Sequence, residues 1–277
     1  MKKHSITGGG GLKLNVLEGG RANAPAILFL HGFSQAAQSW RHQFESDLAP
    51  RYRLLAMDLR GHGASEKPDD ASHYTSSKLS ADDVNAVIQT LGARSTLLVG
   101  WSYSGLLICD FLRYYGSTDL AGAVFCGAVT KVGSDQAGAM LGGKLTQHLP
   151  AVFSKEAAAA SHTMGQFVRD CHAQPMSDSA YYEALGYSLT ATPAVRLGLF
   201  SRAVDNDDML AALTVPTLAL HGTKDEIILP TASQHIVSKV RGAQLSMIED
   251  TAHCPFAESP AAFNAQVAGF AGQVFQH

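Results

Sequence analysis

The chain has 277 residues, 46% hydrophobic and 16% charged, and a formal net charge of −3 from 21 Lys+Arg against 24 Asp+Glu. That length suits one globular α/β domain carrying an insertion, with neither the basic face of a nucleic-acid binder nor an apolar run near the roughly 20 residues that cross a bilayer. The start, Met1-Lys2-Lys3-His4-Ser5-Ile6-Thr7, lacks the apolar core of a signal peptide, and Cys109, Cys126, Cys171 and Cys254 show no metal spacing and are few for a disulfide scaffold, so the expectation is a cytoplasmic protein with reduced thiols, no metal and no cofactor.

In chain order, residues 5–7 and 12–18 read as two short strands. The run Gly8-Gly9-Gly10-Gly11 between them is followed by neither a Lys-Ser/Thr pair nor a helix, so it reads as a hairpin turn and not a phosphate loop. Ala26-Ile27-Leu28-Phe29-Leu30 is continuously apolar, as in a strand covered on both faces of a parallel sheet. It ends in His31-Gly32-Phe33, and a helix is expected from about Ser39 to Leu48 with Pro50 as its stop. A strand over Tyr52–Met57 closes in Asp58-Leu59-Arg60-Gly61-His62-Gly63-Ala64-Ser65. Ser80–Leu91 carries helical periodicity and stops at Gly92. Further strands are expected at Ser95–Val99, Leu120–Val129, Val215–Gly222 and Gln244–Ile248, and further helices at 103–115, 230–240 and 260–275. Strands alternating with helices predict a parallel sheet covered on both faces.

The alternation breaks at 130–208, a stretch rich in Ala, Gly, Ser and Met. It reads as a helical insertion over the sheet edge, leaving 1–129 and 209–277 as the core of a single domain. Gly138, Gly143 and Lys144 have the spacing of a nucleotide-binding loop, but Leu145 follows and the hydroxyl of Thr146 comes one place late for a metal. His148, His162 and His172 form no ligand pair and read as helix-surface residues.

The chemistry concentrates in Leu97-Leu98-Val99-Gly100-Trp101-Ser102-Tyr103-Ser104-Gly105-Leu106-Leu107. A serine hydroxyl needs a base beside it to become a nucleophile. A tight strand-to-helix turn presents the hydroxyl clear of the backbone but crowds the residues two places away on each side. Gly100 and Ser104 are small at those places, which is the pattern of a nucleophile elbow. The Tyr103 N–H then stands at a helix N-terminus, where unpaired amides and the helix dipole favour an oxyanion. Without further support the same residues describe a buried strand, a glycine turn and a helix.

In an open parallel sheet the site lies beyond the carboxyl ends of the strands. His31-Gly32-Phe33, Ser102, Asp225 and His253 all fall at such ends, and Ser, Asp and His come in that chain order. The segments at 31–33, 58–65 and 100–105, with His221-Gly222-Thr223-Lys224-Asp225 and Ala252-His253-Cys254-Pro255-Phe256, make the chain resemble the α/β-hydrolase fold along nearly its whole length. The fold implied is a mostly parallel central sheet with helices on both faces and a helical cap insertion. Ser104 stands where that family often has glycine, and Tyr103 where methionine is common. A serine at 102 argues against relatives that form an ester on an aspartate.

The resemblance implies a serine hydrolase of a small to medium carboxylic ester, thioester or lactone. Ser102 is the nucleophile, His253 the base and Asp225 its orienting acid, with an oxyanion hole from the backbone N–H groups of Phe33 and Tyr103. Asp225 is preferred because it follows a strand and a glycine-containing turn. Asp250, three residues before His253, and Glu226 are the rivals. His31, His62 and His221 read as structural, and Trp40 and Trp101 as packing. Met140, Leu141, Leu145, Phe153, Met164 and Phe167 could line an apolar pocket or pack the insertion on the sheet. Carbon–carbon bond hydrolysis of a vinylogous diketone is a second reading; it needs polar groups to hold a charged dienol acid, for which Arg60, Arg113 and Arg196 are candidates. Perhydrolysis, haloperoxidase-like activity and a ligand receptor on the same fold are further alternatives.

Overall fold

The computed structural model describes residues 1–276. Its strands in chain order are β1 (Lys2–Thr7), β2 (Lys13–Gly20), β3 (Ala26–Leu30), β4 (Arg53–Met57), β5 (Thr96–Trp101), β6 (Leu120–Cys126), β7 (Lys131–Val132), β8 (Val204–Asp205), β9 (Thr217–Gly222) and β10 (Gln244–Ile248). One eight-stranded sheet runs in the order β1-β2-β4-β3-β5-β6-β9-β10. Its β1–β2 and β2–β4 pairs are antiparallel and the others parallel. Every residue of β3, β5 and β9 is buried. Successive strand residues face opposite sides, so both faces are covered, which is why β3 and the middles of β5 and β9 read as apolar runs. The covering helices include Ser77–Thr90 and Ser104–Tyr115, which pack on each other, and Thr231–Lys239 and Pro260–Val274, which pack against β9, β10 and β6.

Three expectations change in the structure. One is His148, expected on a helix surface but buried, with its Nε2 2.7 Å from Asp170. The helix expected over 39–48 is a 3-10 turn, Ala37–Trp40, and one helical turn, Arg41–Phe44. The Ser46 hydroxyl donates to the Gln43 carbonyl and accepts from the Leu48 N–H, taking over groups that a continuing helix would pair. The strand expected over 120–129 stops at Cys126, because Gly127 turns the chain with φ +49°.

Between β6 and β9 the chain forms helices at Ala157–Asp170, Asp178–Ser188 and Pro193–Phe200, with shorter turns before them. The strands β7 and β8 pair antiparallel, so the two ends of this segment are stitched together where they leave the core. Arg202 fixes the exit further, donating to both Asp110 carboxylate oxygens at 2.8 Å.

Candidate active site

β5 ends at Trp101 and the next helix begins at Ser104, leaving Ser102 with φ +57°. A non-glycine residue in that region costs roughly 1–3 kcal/mol and persists only where its surroundings hold it. Here the Ser102 N–H donates to the Cys126 carbonyl at 2.9 Å and the Ser102 carbonyl accepts from the Val129 N–H at 3.1 Å. The neighbours leave no room for larger residues. A Cβ on Gly100 would lie 2.9 Å from the Ser104 carbonyl oxygen, and one on Gly32 would lie 3.1 Å from Ser102 Cβ. The Ser104 hydroxyl donates to the His31 carbonyl, tying the elbow to the end of β3. The serine that departs from the usual glycine therefore has a local bond to make.

Asp225 and His253 lie after β9 and β10, and both are buried. His253 Nδ1 donates to Asp225 Oδ2 at 2.7 Å. The other oxygen, Oδ1, accepts from the Ile227 and Ile228 N–H groups at 2.9 and 3.0 Å. His221 Nε2 stands 3.1 Å from Oδ2, while its Nδ1 lies 2.7 Å from the Ser233 hydroxyl. Burial works to raise the Asp225 carboxyl, but the charges and hydrogen bonds of His253 and His221 outweigh it and hold the group well below the usual carboxylate range. Asp250 is instead exposed and paired with Lys224 at 2.8 Å, and Glu226 pairs with Lys144 at 2.7 Å. Asp225 is therefore the carboxylate against His253.

The His253 backbone is pinned from two sides. Its carbonyl accepts from Trp101 Nε1 at 2.8 Å, and its N–H donates to the Cys171 carbonyl at 3.0 Å. Trp101 is thus more than packing. It links the residue before Ser102 to the histidine loop. A Cβ on Gly127 would stand 3.3 Å from both Asp225 Oδ2 and His253 Nδ1, so a glycine leaves room for the pair. With Nδ1 engaged, Nε2 is the free imidazole nitrogen. No hydrogen bond joins it to Ser102 Oγ among the described residues, as is common before substrate tightens a site.

Phe33 and Tyr103 are both buried, and neither backbone N–H finds a protein acceptor among the described residues. Two buried histidines orient the Phe33 segment. His31 Nδ1 donates to the Gly32 carbonyl at 2.8 Å, and its Nε2 accepts from the Leu59 N–H at 3.0 Å. The Gly32 carbonyl shares a peptide plane with the Phe33 N–H, so fixing one end aims the other. His62 Nδ1 donates to the Arg60 carbonyl at 2.9 Å and Nε2 accepts from the Ser34 N–H at 3.2 Å. Each ring donates once and accepts once, which requires the neutral form.

Burial lowers His31 to about 4 and, with His31 nearby, lowers His62 to about 3. Unfolded histidine takes up its proton near pH 6.5, so between that value and about 4 the unfolded chain binds more protons than the folded one. The stabilisation is therefore complete above pH 6.5 and is lost as pH falls. The two rings together are worth several kcal/mol, at about 1.4 kcal/mol per pH unit of displacement. Denaturant midpoints should fall steeply from pH 7 to pH 4.5; a flat profile across that window would contradict the neutral, doubly bonded rings.

Ser102 opens on a cavity of about 360 Å³, whose lining includes Phe33, Leu141, Leu145, Phe167, Phe200 and Ile228. Of the six apolar residues singled out in the sequence, Leu141, Leu145 and Phe167 line it; Met140, Phe153 and Met164 pack elsewhere. Phe200 and Ile228 carry no sequence signal beyond being apolar. The Phe33 and Phe200 rings meet edge to face, centroids 4.8 Å apart. Lys131 also lines the cavity, but its ammonium pairs with Asp207 at 2.8 Å and Asp205 at 3.2 Å. The arginines considered for a charged substrate lie elsewhere. Arg60 is paired with Asp83 and Arg113 with Asp208, while Arg196 is buried within the 130–208 segment; none lines this cavity. Lys144, the lysine of the apparent nucleotide loop, is engaged by Glu226.

Residues 27–266 match the profile of the alpha/beta hydrolase family. The chain belongs to that family, and it is an enzyme. It is similar to the esterase RhEst1 from Rhodococcus sp. ECU1013, with 35% identity, a TM-score of 0.93, and 99% of this chain and 100% of the esterase covered. It is 25% identical to the AB hydrolase superfamily protein YisY of Bacillus subtilis over 246 residues, 88% of this chain and 90% of that protein. Epoxide hydrolase A of Mycobacterium tuberculosis is 35% identical, but over only 98 residues, 35% of this chain and 30% of the relative.

Proposed function

We propose that the protein is a serine hydrolase that cleaves small to medium, uncharged carboxylic esters, thioesters or lactones through an acyl-enzyme on Ser102. The observations that carry this reading are a strained serine at the wall of an apolar cavity and a buried His253–Asp225 pair whose histidine is hydrogen-bonded to Trp101, the residue before that serine. The esterase relative at 35% identity supports the substrate class.

In this reading His253 Nε2 takes the Ser102 proton as Oγ attacks the acyl carbon. Asp225 keeps the proton on Nδ1 and stabilises the imidazolium. The Phe33 and Tyr103 N–H groups receive the oxyanion. Each such donor is worth about 3 kcal/mol in the transition state, because it is aimed before charge develops. His253 then protonates the leaving group, and water, activated by the same imidazole, releases the acid. Residues 130–208 roof the cavity as a cap over a core of 1–129 and 209–277. The partner is a small molecule only, and the oxygen chemistry needs no cofactor.

The cavity is at the small end of the roughly 300–1,000 Å³ typical of ligand pockets, and its one cation is already neutralised. Short and medium neutral acyl esters of p-nitrophenol should therefore exceed palmitoyl and hemisuccinyl esters in kcat/KM by about tenfold or more, since an unpaired buried charge costs several kcal/mol. Equal rates for the hemisuccinyl ester would overturn the uncharged-substrate assignment.

A further inference from the structure

We propose that Arg196 is a positioning residue for the Phe33 N–H, acting through Ser34; this rests on the reading of Phe33 as an oxyanion donor. Arg196 lies on the helix Pro193–Phe200, far in sequence from the site, and is 1% exposed. Its Nε donates to Ser34 Oγ at 3.0 Å, Nη1 to the Val152 carbonyl at 3.1 Å, and Nη2 to the Ser188 carbonyl at a long 3.5 Å. No carboxylate lies within salt-bridge distance among the described residues. Burial lowers the guanidinium to about 10, which leaves it charged at neutral pH. A buried cation without a counter-charge is expensive. An aliphatic side chain would fill the volume without that cost, so what distinguishes arginine here is its fork of hydrogen bonds.

The fork ends on a strained residue. Ser34 is fully buried with φ +55°. It follows Phe33 directly, and its N–H is already held by His62. The loop is thus fixed at the Gly32 carbonyl by His31, at the Ser34 N–H by His62, and at the Ser34 hydroxyl by Arg196. Only the last of these reaches in from the 130–208 segment. The same helix presses Phe200 onto the Phe33 ring. The seating of that helix therefore sets the direction of an oxyanion donor, and errors of about 1 Å in such groups cost rate rather than binding.

The test compares Arg196→Met, Arg196→Lys and Ser34→Gly. Glycine removes the hydroxyl while accepting the positive φ without strain. Hydrolysis of p-nitrophenyl butyrate is measured alongside inhibition by an alkyl trifluoromethyl ketone, which adds the Ser102 oxygen to its carbonyl and leaves an oxyanion. Arg196→Met and Ser34→Gly should each lower kcat about tenfold and weaken the ketone similarly, with KM within about twofold, because the lost interaction acts in the transition state. Arg196→Lys should fall between them and the parent. The double variant should be no worse than either single one, as for residues acting as a unit. The proposal is overturned if kcat and ketone affinity are retained, or if only KM or melting temperature moves. If Arg196→Met does not fold, Ser34→Gly decides alone. Ser102→Ala separates the two levels: an active Ser102→Ala removes the oxyanion reading itself, whereas an inactive one beside an unaltered Ser34→Gly removes only the role of Arg196.

Discussion

Ser102→Ala should lower kcat by roughly 10⁴- to 10⁶-fold, the scale seen when a triad nucleophile is removed, and leave the fold in place. Both expectations follow from the same geometry. Of the hydroxyls on the elbow, that of Ser104 is bonded to the His31 carbonyl and that of Tyr103 to the Leu199 carbonyl, which leaves Ser102 for the proposed acyl bond. The elbow itself is built by backbone bonds to Cys126 and Val129 that alanine keeps. Alanine also keeps the positive φ of 57°. Ser102→Gly would relieve it, so the glycine variant should be inactive yet more stable than the parent by about 1 kcal/mol. Melting curves and single-turnover assays on the two variants separate the chemical role from the strain. Residual esterase activity near the parent level in either variant would refute the nucleophile assignment.

Asp225→Asn should cost about 10⁴-fold in kcat with little change in structure, through the tautomer of His253. The Ile227 and Ile228 N–H groups point at one oxygen of residue 225 and require an acceptor there. In asparagine that acceptor is the amide oxygen, which turns the NH₂ toward His253 Nδ1 and His221 Nε2. Two donors then face each other unless His253 moves its proton to Nε2, and an Nε2–H cannot take a proton from Ser102. The wild-type carboxyl is held well below the usual carboxylate range by His253 and His221, so it stays ionised in mild acid. Any loss of activity in mild acid should therefore not come from protonation of this carboxylate. An Asp225→Asn variant within tenfold of the parent rate would contradict the role given to Asp225.

The central strands were readable because burial on both faces makes β3 wholly apolar and confines the polar residues of β5 and β9, Thr96, Thr217 and His221, to their ends. The elbow was readable for a related reason: crowding forces small residues at fixed offsets from Ser102, and spacing is what a sequence displays. Asp225 could be set apart from Asp250 because it follows a strand directly, while Asp250 lies in a turn with φ +59° and reaches solvent. The missed features depend on contacts between distant parts of the chain. The two-residue strands β7 and β8 are too short to carry a period. The length of the 37–44 helical stretch is set by one serine hydroxyl competing for backbone groups. Trp101 reaches His253 across 152 positions and Arg196 reaches Ser34 across 162, distances at which composition and periodicity are silent. His31 and His62 were recognisable as structural, but their neutral tautomers follow only from the carbonyl and N–H found on opposite sides of each ring.

The most direct test of the account is to react the protein with an alkyl fluorophosphonate and map the adduct by peptide mass spectrometry. One phosphonyl group should appear on Ser102, at a rate that falls sharply in His253→Ala and with no labelling in Ser102→Ala. Labelling at another serine, or ester hydrolysis that persists once Ser102 is fully modified, would contradict it.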